Sequence, residues 1–425
     1  MNGISSEKIF RLLITLSPLF LLTMANWING IVFFASALSI YMLVKNRLNG
    51  ITLFQEPKQQ QMTMIFASVF ILPLAAVFVA QCVRQEFEWR YYDSPSRFLL
   101  CVPILMVAVG NRFNLARLMN YTIPGSVFLS LAMVIISPEA KYGADRITTY
   151  FVDPLAFGSL NLMLGMLSLV SINAYGKESI AAVCYKISGF IVGMGLSVAS
   201  GSRTGWLALP CVLFLYTFFY NSKYRAASKI VAILVPLVLS TSVYYAIPVV
   251  KNRVDLAVHE ISLFRWNDVN PDTSVGLRIS FYRTGLHLFV RKPFGGWGDT
   301  SFANFINTSE INKFTTQLSR DAVTGCGFHN ELITNMVRSG IWGLIASGAI
   351  FLIPGIFFVR GLRSKSDSVR KLAVICICYL ATVFVSGMTT EVFNLKYMAS
   401  YHALMIACFG GSILVALYSR PRNVE

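Results

Sequence analysis

The chain has 425 residues, 55% of them hydrophobic and only 13% charged, with a mean hydropathy of +0.60. A soluble domain is near a quarter charged, so this composition excludes one and points to a polytopic membrane protein. The formal net charge of +16 implies a nucleic-acid partner only if it is not a topological signal, and its distribution decides between the two.

Twelve apolar runs long enough to approach a ~30 Å hydrocarbon core follow in order: residues 9–25, 28–44, 61–82, 97–111, 117–137, 155–175, 180–199, 205–220, 230–249, 336–358, 372–388 and 398–418. The fourth is short. The first ends in "LLTMANW" without a cleavage signature, so it reads as a retained segment rather than a signal peptide. With the N-terminus in the cytoplasm, the inner segments hold 18 basic residues and the short outer loops seven, while 15 of the 20 acids lie outside. That is the positive-inside pattern. The net charge is therefore mostly topology, with membrane lipids and not nucleic acid as the surroundings, and both termini are expected inside. The eight cysteines form neither a disulfide framework nor a metal-binding spacing. A single integral membrane domain over 1–425 is expected.

One connection is unlike the rest. Residues 250–335 form an outer segment far longer than the ~12–15 residues typical of structureless loops. Within it, "DTSVGLRISFYRTGLHLFVRKPFGGWG" begins at Asp272, Thr273 and Ser274, residues suited to an N-cap. Leu277, Phe281, Thr284 and Gly285, then Phe289, follow at helical spacing, and Pro293 and Gly295–Gly296 close the run. The reading is an amphipathic helix on the outer face.

Lys186 is the main charge inside a span, whereas transporters and channels usually carry ionisable groups there. Polar chemistry gathers instead at the outer surface, in three places. In "SGSRTGWLALP", Arg203 stands at a span start with Ser202 and Thr204 as available caps. Free helix N–H groups beside a guanidinium suit a phosphate; the competing reading is an arginine that snorkels to the interface. Arg278 lies near the start of the loop helix, where a solvated face is the alternative. The triplet His329-Asn330-Glu331 opens the tenth span, and histidine titrates near neutrality, so it can accept a proton from a hydroxyl. His259, His287 and His402 read as structural. No D-x-D, H-E-x-x-H or spaced acid cluster is present. A base with arginines fits displacement of a pyrophosphate, a good leaving group that needs charge stabilisation more than protonation.

"GSRTGWLAL", "SVGLRISFYRTGLHLFVRKPFGGWG" and "FHNELITNMVRSGIWGLI", in this order and spacing, resemble the O-antigen ligase and polymerase superfamily of bacterial membrane glycosyltransferases, and the O-antigen ligases within it. The motifs cover about a fifth of the chain. The resemblance implies an all-α GT-C-type fold of about 12 transmembrane helices, with one large helical periplasmic loop between spans 9 and 10. It implies metal-independent, inverting transfer without a cofactor, from an undecaprenyl-pyrophosphate-linked glycan to lipid A–core oligosaccharide, at the periplasmic face of the bacterial inner membrane. By the resemblance, Arg203 and Arg278 hold the pyrophosphate and His329 is the general base. Arg146 in "ADRITTY" is a further basic position, Asn330 and Glu331 orient the histidine or the acceptor, and Glu391 in "MTTEVFN" stands where aspartate is common. "GFHN" has one histidine where some relatives have two. An O-antigen polymerase and a protein O-oligosaccharyltransferase are the alternatives within the superfamily; the chain's end at Glu425, soon after the last span, speaks against the second. A transporter of lipid-linked sugars is the alternative outside it.

Overall fold

The computed structural model describes residues 5–137, 139–140, 146–203, 205–220, scattered positions between 230 and 247, then 248–263, 265, 269, 272–299 and 301–419. The regular secondary structure of the described residues is helical with one exception. The exception is a two-residue antiparallel pairing of Glu139–Ala140 with Ile147–Thr148. The chain order is α1 (Ser6–Leu16), α2 (Trp27–Leu48), α3 (Pro57–Arg84), α4 (Asp93–Leu99), α5 (Cys101–Gly110), α6 (Thr122–Ile136), α7 (Pro154–Val170), α8 (Ile180–Ala199) and α9 (Ala208–Tyr220). After these come α10 (Pro248–Ser262), α11 (Ser274–Arg291), α12 (Gln317–Cys326), α13 (Glu331–Leu362), α14 (Asp367–Gly387) and α15 (Lys396–Tyr418), with short single turns between some of them.

Seven helical stretches among the described residues are long and apolar enough to cross a membrane: α2, α3, the stretch Trp89–Gly110, α8, α13, α14 and α15. Three shorter apolar helices, Thr122–Ile136, Pro154–Val170 and Ala208–Phe219, accompany them. At ~1.5 Å per residue, a 20-residue helix spans ~30 Å. An all-α, multi-pass membrane protein is what these helices form. α15 is the central post, buried along most of its length, with Phe409 packed against Tyr379 of α14 (ring centroids 5.1 Å apart) and Gly410 facing Phe66 of α3. Large apolar side chains such as Phe33, Phe34, Ile191 and Leu352 stand exposed on the outside of the bundle, as lipid-facing residues would.

Two expectations need correction. The run 9–25 is not one helix: α1 stops at Leu16, and bonds from Leu19 to Leu16, Leu21 to Pro18 and Thr23 to Phe20 continue it as tight turns. Pro18 lacks the N–H that a continued helix would need. The run 97–111 is divided at Leu100 between α4 and α5. The ninth run, 230–249, lies largely outside the described residues.

The segment 250–335 carries α10, α11 and α12 and a small apolar core of its own. Phe281, Leu288, Trp297, Phe302, Ile306, Val323 and Phe328 pack there with Val337 of α13. α11 follows its sequence reading closely: Thr273 is the N-cap and accepts from the Gly276 N–H. The buried face is Phe281, Thr284, Gly285 and Leu288, one residue short of the expected Phe289. The loop is anchored at a break in α13. Ser339 and Gly340 leave helical geometry, Gly340 at φ +63°. The groups freed there are taken up by residues 293–298: Ile341 N–H donates to the Pro293 carbonyl (2.7 Å), Trp297 N–H to Val337 (2.8 Å) and Gly298 N–H to Arg338 (3.0 Å). Gly296, at φ +64°, sits where a Cβ would lie 2.5 Å from the Arg338 carbonyl oxygen. The "PFGGWG" and "RSG" stretches of the sequence are thus the two halves of one joint.

Candidate functional site

The joint holds the N-terminal end of α13 against the loop core, and the turn before α13 carries the histidine. Gly327 has φ +77° and ψ −167°, a region essentially confined to glycine. A Cβ on it would lie 2.1 Å from Glu391 Oε1. His329 itself is left-handed at φ +49°, uncommon for a residue with a side chain. Two anchors hold this turn. The Glu391 carboxylate, half-buried between α14 and α15, accepts from the Phe328 N–H (3.2 Å), the Thr334 hydroxyl (2.7 Å) and the Asn394 amide (2.7 Å). Asn330, almost wholly buried, caps α13 by accepting from Leu332 and Ile333 N–H, and donates to the Met388 carbonyl (3.3 Å). Tyr282 of α11 donates to that same carbonyl (2.6 Å).

Glu331 is committed differently from its neighbour. Its carboxylate accepts from Val392 and Phe393 N–H (2.8 and 3.0 Å) and from Asn335 (2.6 Å). It ties α13 to the start of α15 and is 4% exposed. Asn330 and Glu331 therefore act on His329 by fixing the backbone around it, and both side chains are already used in doing so.

The His329 ring is half-buried and stacks on Phe281 of α11, ring centroids 5.6 Å apart. Burial lowers its pKa first, the nearby Arg278 charge lowers it further, and Asp153 opposes them. All three effects concern the charged form, so the net result is an imidazole that is neutral at pH 7 and able to take a proton. Among the described residues, neither the His329 ring nor the Arg278 guanidinium has a hydrogen-bond or ion-pair partner. A half-buried cation without a partner is costly unless something supplies the opposite charge.

Asp153 and Arg146 connect this pair to Arg203. Asp153 caps α7, accepting from Leu155 and Ala156 N–H (both 2.9 Å), with Pro154 at the first helical position. Ser202 donates to the Leu155 carbonyl (3.1 Å), so the 200–203 turn rests on the same helix end. Arg146 donates to the Gly201 carbonyl (3.2 Å), two residues from Arg203. Arg146 and Arg203 thus stand by the N-terminus of α7, whose capping carboxylate is felt by His329; Arg278 approaches the histidine from α11. Two expectations about 200–204 change: Arg203 precedes its helix, which begins at Ala208, and Ser202 is spent on Leu155 rather than on a cap. Thr204 lies outside the described residues.

Sequence reasoning missed Asp153, Phe281, Tyr282 and Gly327. Asp153-Pro154 carried the signal of a helix start. The other three act through contacts between distant segments, which spacing does not show. Of the remaining histidines, His402 is buried in α15 with Nδ1 2.8 Å from the Tyr379 hydroxyl, and His287 faces Glu310, as the structural readings of both expected.

Comparison with known proteins gives the same grouping. Residues 188–348 match the model of the family described as O-antigen ligase. That span holds Arg203, Arg278 and His329-Asn330-Glu331, and leaves Arg146 and Glu391 outside. An uncharacterized protein of Haemophilus influenzae is 25% identical over 303 residues, covering 70% of this chain and 72% of that protein. A protein named O-antigen ligase from Escherichia coli is 26% identical over 162 residues, 37% of this chain and 36% of that protein. The matched region contains all three motifs that carried the resemblance, and over residues 188–348 the chain is similar to the family described as O-antigen ligase.

Proposed function

We propose that this chain is an O-antigen ligase of the bacterial inner membrane. It would transfer O-polysaccharide from undecaprenyl pyrophosphate to lipid A–core oligosaccharide at the periplasmic face. The observation that carries the reading is the pairing of an uncommitted, neutral-leaning His329 with an unpartnered, half-buried Arg278. On this reading Arg278, Arg203 and Arg146 hold the donor's pyrophosphate. His329 takes the proton of the acceptor hydroxyl as that oxygen attacks the anomeric carbon from the face opposite the pyrophosphate. One C–O bond forms, the C–O bond to pyrophosphate breaks, and its electron pair leaves with the lipid pyrophosphate. The configuration inverts.

The arginines supply the charge that a divalent ion supplies in other pyrophosphate chemistry, so the transfer is proposed to be metal-independent. Glu391, Asn330 and Glu331 serve as positioning groups that hold the His329 turn. The reading includes a GT-C-type bundle of about twelve spans, both termini in the cytoplasm, and 250–335 as a periplasmic loop within one membrane domain. The test is a purified transfer assay together with lipopolysaccharide gels of a deletion strain. Long O-polysaccharide returning to lipid A–core only with the wild-type chain supports the ligase. Single-repeat lipopolysaccharide with no polymer on the carrier would identify a polymerase instead, and lipid-linked glycan moved without any new glycosidic bond would identify a transporter.

A further inference from the structure

At the end of the bundle away from His329, two cavities of about 750 and 700 Å³ open side by side, both within the ~300–1,000 Å³ range of ligand pockets. α13 runs from the histidine turn to Leu362 and α14 starts back from Asp367, which fixes this end. The first cavity lies between the 114–117 turn, the 173–177 connection from α7 to α8 and the start of α14. The second lies between α1, Gln55 and the 110–118 stretch. Asn114 and Arg117 belong to both walls, and the end of α15 closes each, through Ala416 in the first and Val415 in the second.

The two walls repeat one charge pattern, three cations and one carboxylate. Arg117, Lys177 and Lys371 stand with Asp367 in the first, and Arg11, Arg112 and Arg117 with Glu7 in the second. The carboxylates are already matched. Asp367 is paired with Lys371 (3.2 Å) and with Arg370 (2.8 Å), Glu7 is paired with Arg11, and Arg112 donates to Gln55. Among the described residues, the side chains of Arg117 and Lys177 have no hydrogen-bond or ion-pair partner. Positive charge at this end serves topology, but topology asks only for cations near the membrane. Arg363 and Lys365 meet that demand in an exposed connection and line neither cavity. What the cavities add is convergence of several cations on a recess.

The surroundings of the recesses are apolar. Ile180, three residues beyond Lys177, is 84% exposed, and Ile9 and Leu12 of α1 stand exposed on either side of Arg11 in the sequence. Cations in a cleft with bare aliphatic side chains beside it match the two parts of a membrane lipid, headgroup and hydrocarbon.

We infer that these two cavities seat the headgroups of anionic phospholipids, one in each, with Arg117 shared between them. A headgroup phosphate with no ammonium of its own supplies the charge that Arg117 and Lys177 lack. The acyl chains lie outward, along Ile180 from the first cavity and along Ile9 and Leu12 from the second. This binding is independent of the transferase reading, because the cavities and the histidine turn are at opposite ends of the bundle.

The experiment equilibrates the full chain in detergent with equal amounts of phosphatidylglycerol and phosphatidylcholine and counts the retained lipids by native mass spectrometry. Phosphatidylglycerol should be retained at least about tenfold over phosphatidylcholine, in two binding steps. Arg117→Gln should weaken both steps about fivefold, the factor that one basic residue near an anionic surface supplies. Lys177→Gln should weaken one step about fivefold and leave the other. Lys365→Gln, at the same end but outside both walls, should change neither, and the melting temperature of each variant without added lipid should match wild type. Equal retention of the two lipids would overturn the inference. So would a loss from Lys365→Gln as large as that from Arg117→Gln, which would mean a diffuse basic surface. Displacement of phosphatidylglycerol by millimolar inorganic phosphate at constant ionic strength would assign the cavities to a soluble anion and overturn it as well.

Discussion

The chain places basic groups in low-polarity surroundings at both ends of its bundle, and treats them in opposite ways. At the end formed by the start of α8, Lys186 is fully buried and makes three bonds: to Glu178 (2.7 Å), the Asn120 side chain (2.8 Å) and the Ser171 carbonyl (3.0 Å). Glu178 is in turn held by the Asn120 amide and the Asn173 N–H. At the other end Arg278 is half-buried beside a histidine and has no partner among the described residues. An ionisable group inside a membrane segment is by default a functional candidate, so Lys186 was the more conspicuous of the two in the sequence. Its closed set of partners makes it a structural fixture. On the proposed reading, the incomplete set around Arg278 is the place where the donor's pyrophosphate would complete the charge balance.

The sharpest way to break this contrast is to remove one member from each end. His329→Ala should lower transfer by about 10²–10⁴-fold, with normal amounts of protein in the membrane. On a gel this appears as loss of long O-polysaccharide on lipid A–core while polymer accumulates on its lipid carrier. Lys186→Met should do the opposite. Leaving Glu178 buried without its partner costs about 3–5 kcal/mol, so protein level and melting temperature should fall while turnover per folded molecule holds. Lys186→Met combined with Glu178→Gln should recover much of the level, because replacing both members removes the uncompensated charge. If the single Lys186 variant stayed stable but inactive, the two ends could not be told apart by their partners.

A smaller effect separates the histidine from the turn that carries it. Gly327→Ala places a Cβ against Glu391 Oε1 and forces a residue with a side chain into φ +77°. Strain of this kind costs about 1–3 kcal/mol, and the relief moves the base. Transfer should fall about 10- to 100-fold while the bundle keeps its melting temperature, since the turn lies outside the main core. Equal loss of activity and of folded protein would mean that the turn supports the bundle rather than the site.

How much of this was legible beforehand follows from the range over which each signal acts. The helical, membrane-embedded character, the loop helix from Ser274 and the three motifs that fall in the matched region 188–348 were readable because hydropathy, capping and motif order are local properties of the chain. The break at Gly340 and its occupation by residues 293–298 were present in the sequence only as two glycine-rich stretches about forty residues apart, and nothing local pairs them. Glu331 shows the same limit. Next to a histidine it looks like part of the chemistry, yet its carboxylate turns inward to Val392 and Phe393, whose N–H groups become available only once α14 and α15 have packed. The first apolar run failed for a different reason. Hydropathy registers residues 9–25 as continuous and is blind to the backbone N–H missing at Pro18.

The smallest expected effect is also the most specific, because it reads the charge environment of the base. The Arg278 charge lowers the His329 pKa and the Asp153 charge raises it, both on top of burial. Arg278→Gln should therefore move the His329 pKa up, toward the ordinary value near 6.5. Asp153→Asn, which keeps an oxygen to cap α7, should move it down. The pH dependence of diethyl pyrocarbonate modification at His329, followed by mass spectrometry of its peptide, measures this without requiring turnover. For a base that must be neutral to act, the acid limb of kcat/KM should shift the same way: to higher pH in the residual activity of Arg278→Gln, to lower pH in Asp153→Asn. Opposite shifts from the two variants would place both charges around one imidazole. An unmoved limb in both would mean that the acid limb belongs to another group, and His329 would lose its claim to be the base even if its replacement by alanine abolished transfer.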